Sequence, residues 1–172
     1  LDEYEPGMTV AELDPLLESL AAPLKDLARR AKPGRRAAAL EGPYGDEAAL
    51  AAFIRRLSSD MGFDHSRGVI ARSAHPFSTG FHPTDCRFTV RAEGDGLMNQ
   101  LLSALHECGH SLYEQGYDPR WWGTTLSRHA SLGMHEAMSR LWENLVGRDP
   151  AFWSRYWPEL RKSFPKLLKG LS

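Results

Sequence analysis

The amino-acid sequence predicts a mainly α-helical fold with a small β-sheet or hairpin beside a central helix. Apolar residues recur at helical spacing over most of the 172 residues, which is the pattern of helices that bury one face. Residues 68–93 differ, because they alternate or run in β-branched residues as short strands do. We therefore predict one domain in four parts: helices over 1–67, short strands and loops over 68–93, a helical centre over 97–148 and a helical segment over 149–172.

The first predicted helix begins at a capping box. Thr9 can accept a hydrogen bond from the amide of Glu12, whose carboxylate can reach back to the amide of Thr9. We expect the helix to run from there to about Arg30, with a bend at Pro23 and an end near the Pro-Gly pair at 33–34.

A second helix is predicted from Asp46, a good N-cap residue, to Gly62, which can end it. A turn at residues 42–45 separates it from the first helix. Its apolar residues share one face: Leu50, Phe53, Ile54, Leu57 and Met61.

Two short strands are predicted at 69–71 and 87–91, where β-branched and apolar residues concentrate. Gly80 and Pro83 lie between these segments and are interpreted as loop residues. The small sheet would then lie beside the helix that follows it.

The central helix contains the string His106-Glu107-Cys108-Gly109-His110. Histidines four residues apart lie on one face of a helix, where both imidazoles can bind the same zinc ion with Glu107 beside them. A glycine inside a helix costs about 1 kcal/mol relative to alanine. Gly109 therefore suggests that another segment packs closely against this part of the helix.

A catalytic zinc site commonly has three protein ligands, so one more ligand is required. The predicted helix over 131–146, closed by Gly147, contains Glu136 and Glu143. We favour Glu136 as the third ligand. The alternative for this glutamate is an ordinary surface salt bridge with Arg140, one helical turn further on.

Four short motifs occur in one order, and together they carry a family resemblance. They are His75-Pro76-Phe77, Asp85-Cys86-Arg87-Phe88-Thr89, His106-Glu107-Cys108-Gly109-His110 and His135-Glu136-Ala137. This series resembles the HPF, DxRxT, HExxH and HES signatures of the carboxypeptidase Taq family of metallocarboxypeptidases. The resemblance implies that Glu136 is the third metal ligand. Ala137 departs from the family, which usually has a serine there that can support the metal ligands.

The resemblance implies a helical zinc-peptidase core that removes C-terminal residues from peptides by means of a metal-activated water. Zn²⁺, with Co²⁺ or another divalent metal as the alternative, would be held by His106, His110 and Glu136. Glu107 would act as the general base and then as the acid. The other two motifs add four expected substrate-binding residues: His75, Asp85, Arg87 and Thr89.

Two of these expectations keep alternatives. Arg87 could bind a substrate carboxylate through two guanidinium nitrogens, or it could form a structural ion pair with Asp85. The edge of the sheet that carries Phe88 and Val90 could align an extended peptide, as strands beside protease clefts do, or the sheet could be purely structural.

The chain resembles a central piece of a longer metallocarboxypeptidase. The arginine expected to hold the terminal carboxylate of the substrate lies beyond the matched part. Two other functions therefore stay open: another peptidase of the gluzincin type, and a helical fragment that binds metal or only folds, without catalysis.

Charge and hydropathy exclude several partners. The 21 Lys and Arg residues against 22 Asp and Glu residues give a net charge of −1, which offers no electrostatic basis for binding nucleic acid or an anionic membrane. No run of 18 or more apolar residues occurs. We therefore predict a cytoplasmic protein, and the resemblance implies a peptide substrate and a homodimer.

Two short helices are predicted to begin at Asp118-Pro119 and Asp149-Pro150, where an N-cap residue precedes a proline. The second helix carries an apolar stripe: Phe152, Tyr156, Leu160 and Phe164. We expect this stripe to pack against sequence outside the chain, and to be exposed without it.

Overall fold

A computed structural model describes residues 1–31, 40, 44–91 and 96–171. Within these ranges the α-helices are α1 Val10–Arg30, α2 Glu47–Met61, α3 Leu97–Gln115, α4 Leu132–Arg140 and α5 Pro150–Ser163. The strands are β1 Gly68–Ser73, β2 Ser78–His82 and β3 Asp85–Arg91. Short 3₁₀-helices occupy Pro119–Trp121 and Thr125–Ser127, and α4 continues as a π-helix over Leu141–Val146. The predicted mainly helical fold with a small sheet is confirmed.

The sheet has the strand order β1-β3-β2, with β1 parallel and β2 antiparallel to the central β3. The interpretation of Gly80 as a loop residue is wrong, because Gly80 lies inside β2. A Cβ at Gly80 would stand 2.6 Å from a carboxylate oxygen of Glu114 on α3. The glycine therefore lets β2 lie directly against α3, and this tertiary contact overrides the local preference of glycine for loops.

The predicted sheet edge at Phe88 and Val90 is also wrong. Both residues lie in β3, which is the middle strand, and their side chains are buried in the core. The alternation along β3 sends them to the core face, while Asp85, Arg87 and Thr89 share the other face. Among the described strands, β1 and β2 form the edges of the sheet.

The core forms where α3 meets the sheet and the helices α2 and α5. Leu97, Leu101 and Leu105 of α3 are at most 1% exposed. The other buried members include Phe53, Ile54, Leu57, Phe88, Tyr156, Leu160, Phe164 and Leu168. On its remaining side α3 packs against α4.

The expectation that the α5 stripe needs sequence outside the chain is wrong. Leu160 is fully buried, and Tyr156 and Phe164 are nearly so. The helix packs against α2, where the Tyr156 hydroxyl donates to Asp60 Oδ2 at 2.8 Å and the Tyr156 ring meets the edge of Phe53. The stripe therefore closes the core of the chain itself.

Helix α1 has the predicted capping box. The Thr9 amide donates to Glu12 Oε2 at 2.9 Å, and the Glu12 amide donates to Thr9 Oγ1 at 3.3 Å. The helix ends at Arg30, and the predicted stop at residues 33–34 lies outside the described residues, as do positions 42 and 43 of the predicted turn. No helix in the described part of the chain, α1 included, has the length and apolarity needed to cross a membrane.

Candidate metal centre

The HExxH string lies in the middle of α3, as predicted. One helical turn places the rings of His106 and His110 side by side, with centroids 4.9 Å apart. Gly109 lies against α4, where a Cβ would stand 2.9 Å from the Met138 carbonyl oxygen and 2.9 Å from the Ser139 Cα. The close packing inferred from this glycine is confirmed, and it brings α4 beside the two histidines.

Helix α4 supplies a third donor through Glu136. Its Oε2 lies 3.2 Å from His110 Nε2 and 3.7 Å from His106 Nε2. Zinc bonds of 2.0–2.1 Å in a tetrahedron separate neighbouring ligand atoms by roughly 3.3 Å. Two imidazole nitrogens and one carboxylate oxygen at these separations fit a divalent cation of the zinc type.

Glu136 also forms the salt bridge that was the alternative to metal binding. Its Oε1 accepts from Arg140 Nε at 2.6 Å, while Oε2 accepts from the Ser139 hydroxyl at 3.1 Å. The two oxygens are thus divided, with Oε1 toward Arg140 and Oε2 toward the histidines. Sequence reasoning treated these roles as exclusive, although one carboxylate can fill both.

The other candidate glutamate, Glu143, lies behind His106 rather than beside its Nε2. Glu143 Oε2 is 2.8 Å from His106 Nδ1. It stands on the π-helical turn, a local widening of the helix that is frequent at functional sites. Because a carboxylate only accepts, this contact favours the hydrogen of a neutral His106 on Nδ1, and Nε2 then faces Glu136 with a free lone pair.

His110 has a longer contact series behind it. Its Nδ1 lies 2.6 Å from His135 Nδ1, and His135 Nε2 lies 2.7 Å from Glu114 Oε1. Glu114 and His135 were not identified from the sequence as site residues. The available signals were the position of Glu114 four residues after His110, on the same helix face, and the place of His135 immediately before Glu136.

Glu107 is 8% exposed, and its carboxyl lies close enough to His106 and Glu136 for their charges to act on it. Burial raises the pKa of its carboxyl, and the charge of Glu136 adds to this. The charges of His106 and His75 and a hydrogen bond from the Ser78 hydroxyl act in the opposite direction without cancelling the rise. Ser78 opens β2, so the sheet holds the proposed general base in place.

Two of the candidate metal ligands, His110 and Glu136, are held in the forms that bind cations. Burial, together with the nearby His135 and His106, lowers the pKa of His110 to about 4, which keeps its imidazole neutral. Partial burial pushes the pKa of Glu136 upward, but the Arg140 hydrogen bond and neighbouring charge outweigh it and lower the pKa overall. Neutral imidazole and ionised carboxylate are the forms that metals require.

His75 is the expected substrate-binding residue that the structure brings to this centre. It lines an open cavity of about 380 Å³ together with His106 and Glu107. Three arginines, Arg91, Arg140 and Arg148, line the same cavity together with Glu107 and Glu143. Arg140 and Arg148 both lie within ion-pair distance of Glu143.

The other three expected substrate residues lie on the outward face of β3. Thr89 Oγ1 accepts from the Phe77 amide at 3.1 Å, so it supports the loop that carries His75. Arg87 donates to Asp85 through two nitrogens at 2.7 and 2.8 Å, and neither residue lines the cavity. The Asp85–Arg87 pairing weighed as the structural alternative is present, and a substrate role for the two stays a prediction.

Comparisons with known proteins give one consistent family. The profile of the carboxypeptidase Taq (M32) metallopeptidases matches residues 1–172. Thermostable carboxypeptidase 1 of Thermus thermophilus is 43% identical over 170 residues, which cover 97% of this chain and 33% of that protein. Carboxypeptidase 1 of Bacillus subtilis is 32% identical over 177 residues, which cover 100% of this chain and 35% of that protein.

A solved structure shares the fold closely. The crystal structure of the M32 carboxypeptidase from Deinococcus radiodurans R1 matches with a TM-score of 0.91 and 38% identity, over 99% of this chain and 35% of that one. The chain therefore spans about a third of the length of the relatives that it matches.

Proposed function

Because the chain belongs to the carboxypeptidase Taq (M32) metallopeptidase family, we propose that it forms the metal-binding part of a metallocarboxypeptidase that acts on the C-termini of peptides. The observation that carries this proposal is the group His106, His110 and Glu136, whose donor atoms all lie within 4.8 Å of one another. Zinc is the proposed metal, because two imidazoles and a carboxylate are its common donors at catalytic sites.

A divalent cation in this group supplies a Lewis acid, which polarises a carbonyl and lowers the pKa of water. The proton transfer from that water is assigned to Glu107. Glu107 stands next to the donor set, and its raised pKa suits a group that accepts a proton from water and returns it to a leaving amine. The hydrogen bond from the Ser78 hydroxyl and the burial of Glu107 hold its carboxylate in position.

The strand that aligns a peptide is proposed to be β2 rather than β3. Ser78 of β2 contacts Glu107, and β2 is an edge of the described sheet. Its unpaired backbone groups could pair with an extended substrate. His75 would contact that substrate from the loop before β2. The cytoplasmic location and the homodimer remain predictions from the sequence.

A second candidate function is metal binding without turnover by this chain alone. The chain spans 33% of the length of the Thermus thermophilus relative, so residues that bind substrate in the longer protein need not be present. A peptidase of another gluzincin type is not favoured, because the family profile matches all 172 residues.

The test is metal content, measured by elemental analysis on the purified chain and on three variants. We expect about one zinc per chain in the wild type, and its loss in His110→Ala and Glu136→Ala. Glu107→Gln is the matched control, since it should keep the metal and lose hydrolysis of N-blocked dipeptides. Zinc that survives in both ligand variants would refute the site. One zinc without hydrolysis by the wild type would support the second candidate.

A further inference from the structure

We propose that Glu114 and His135 are positioning residues, a hydrogen-bonded pair that orients His110 for metal binding. The inference rests on the proposed function, because it assigns the groups behind one of the proposed ligands. It would give each histidine ligand its own carboxylate: Glu143 directly behind His106, and Glu114 behind His110 through the ring of His135.

The hydrogen positions follow from one requirement. If His110 Nε2 binds a cation, the hydrogen of its neutral ring must stand on Nδ1. That hydrogen faces His135 Nδ1 at 2.6 Å, so His135 Nδ1 must accept it. The hydrogen of the neutral His135 then stands on Nε2, which faces Glu114 Oε1 at 2.7 Å. A carboxylate only accepts, so the series ends there with every contact satisfied.

The packing holds this series in place. The side chains of His110, His135 and Glu114 are 15%, 14% and 18% exposed, so water competes weakly for their hydrogen bonds. The ring of Tyr113 meets the ring of His135 edge to face at a centroid distance of 5.2 Å. Gly80 leaves the space that the Glu114 carboxylate occupies.

Helix α4 carries both the proposed ligand Glu136 and the proposed positioning residue His135. His135 and Glu136 are neighbours in the chain, so one helix delivers both the third donor and the group that holds the second. A displacement of α4 would therefore loosen two of the three donors at once. This assigns a role to the histidine of the fourth sequence motif, which the metal ligands alone leave without one.

A competing interpretation is a second cation bound by Glu114, His129 and His135, whose donor atoms also lie within 4.8 Å of one another. A cation on either nitrogen of His135 would break the contact with His110 Nδ1–H. Bound at Nδ1 it would take the acceptor lone pair, and bound at Nε2 it would move the hydrogen of the neutral ring to Nδ1. The observed 2.6 Å contact favours the orienting pair.

The experiment compares Glu114→Gln, His135→Ala and His135→Asn with His129→Gln as the control. Metal affinity is measured by competition with a chromophoric chelator, for Zn²⁺ and for Co²⁺. Loss of a group that supports a metal ligand typically weakens binding about 10- to 100-fold, which we expect for His135→Ala. Glu114→Gln should lose less, and His135→Asn should recover part of the loss because its Oδ1 can accept from His110 Nδ1–H.

A second readout separates orientation from a merely structural role. Nitrogen-15 NMR of the metal-free chain reports which ring nitrogen of His110 carries the hydrogen. We expect the Nδ1–H form in the wild type and in His129→Gln, and a mixture of the two forms in His135→Ala. Thermal unfolding of each variant identifies any that fails to fold, in which case Glu114→Gln and His135→Asn carry the test.

Three outcomes would overturn the proposal. Unchanged affinity and an unchanged His110 tautomer in both Glu114→Gln and His135→Ala would refute the orienting pair while leaving the metal site intact. Two metals per wild-type chain, with one lost in His129→Gln, would establish the second cation site instead. A wild type that binds no metal would refute the proposed function, and the orienting role with it.

Discussion

The two longest described helices, α1 and α3, have the same kind of sequence and opposite surroundings. Both carry an apolar stripe at helical spacing, and both are made mostly of strong helix formers. In α3, Leu97, Leu101 and Leu105 are buried, whereas Leu16, Leu17, Leu20, Leu24 and Leu27 of α1 are between 52% and 56% exposed. No described residue of α1 is buried. Apolar residues at helical spacing make a helix amphipathic. How much that helix contributes to the stability of the protein depends on which surface packs against its apolar face.

The way α1 is attached to the rest of the chain explains part of the difference in burial between α1 and α3. The segment before α1 is joined to the start of α4, where the Gly133 amide donates to the Tyr4 carbonyl at 2.7 Å and the Ser131 hydroxyl donates to Glu5 at 3.1 Å. The helix then extends from this attachment with no face buried among the described residues. In α3, by contrast, side chains on the sheet side and on the α4 side are both enclosed.

The largest effect is expected from Leu101→Ala in α3. Leu101 is fully buried, so the truncation removes apolar burial and leaves a cavity. We expect the free energy of unfolding to fall by about 2–5 kcal/mol, measured by urea denaturation. A loss below 1 kcal/mol would mean that α3 is not the packed centre of the chain.

Zinc binding should increase the difference in stability between α3 and α1. The proposed ligands join α3 to α4, and none of them lies in α1. At free zinc about 100 times the Kd, binding should stabilise the chain by about 2.7 kcal/mol. The measurement is the unfolding midpoint with and without zinc, and His110→Ala should abolish the difference. Equal stabilisation of His110→Ala would place the bound zinc elsewhere.

Gly109→Ala tests the close contact between α3 and α4. Alanine improves helix propensity by about 1 kcal/mol, but the new Cβ would stand 2.9 Å from backbone atoms of Met138 and Ser139. Because backbone yields less easily than a side chain, we expect a net loss of about 1–3 kcal/mol. Chemical denaturation would measure it, and a stabilised variant would contradict the contact.

Thr9→Ala should change α1 alone. The substitution removes the cap of the first turn, an effect of about 1 kcal/mol on the helix. Since no described residue of α1 is buried, we expect lower helicity by circular dichroism and faster amide exchange within 10–30. The main unfolding midpoint should stay unchanged, and a clear shift would show that α1 is coupled to the core.

The smallest effect is expected from Leu20→Ala, the matched partner of Leu101→Ala. Leu20 is 52% exposed, and exposed truncations commonly change stability by less than about 0.5 kcal/mol. The same urea denaturation gives the comparison directly. A loss close to that of Leu101→Ala would mean that the apolar face of α1 is covered in solution.

The sequence alone determined the features that depend on neighbouring residues. The capping box at Thr9 and Glu12, the helix through His106 and His110, and the glycine at 109 all rest on contacts within about one turn or on a single backbone preference. The third donor could be proposed because its motif follows the HExxH string in a known order. The cap, the helix and the close packing at Gly109 lie where they were predicted, and Glu136 lies beside the two histidines.

Only the tertiary structure decided which surfaces meet. Gly80 lets β2 lie against Glu114 of α3, and the apolar stripe of α5 is buried because α2 lies opposite it. The pairing of His110 with His135 joins groups 25 residues apart. Hydrophobic burial is non-directional, so periodicity shows that a face is apolar without naming what covers it. The same pattern was therefore free to end buried in α5 and exposed in α1.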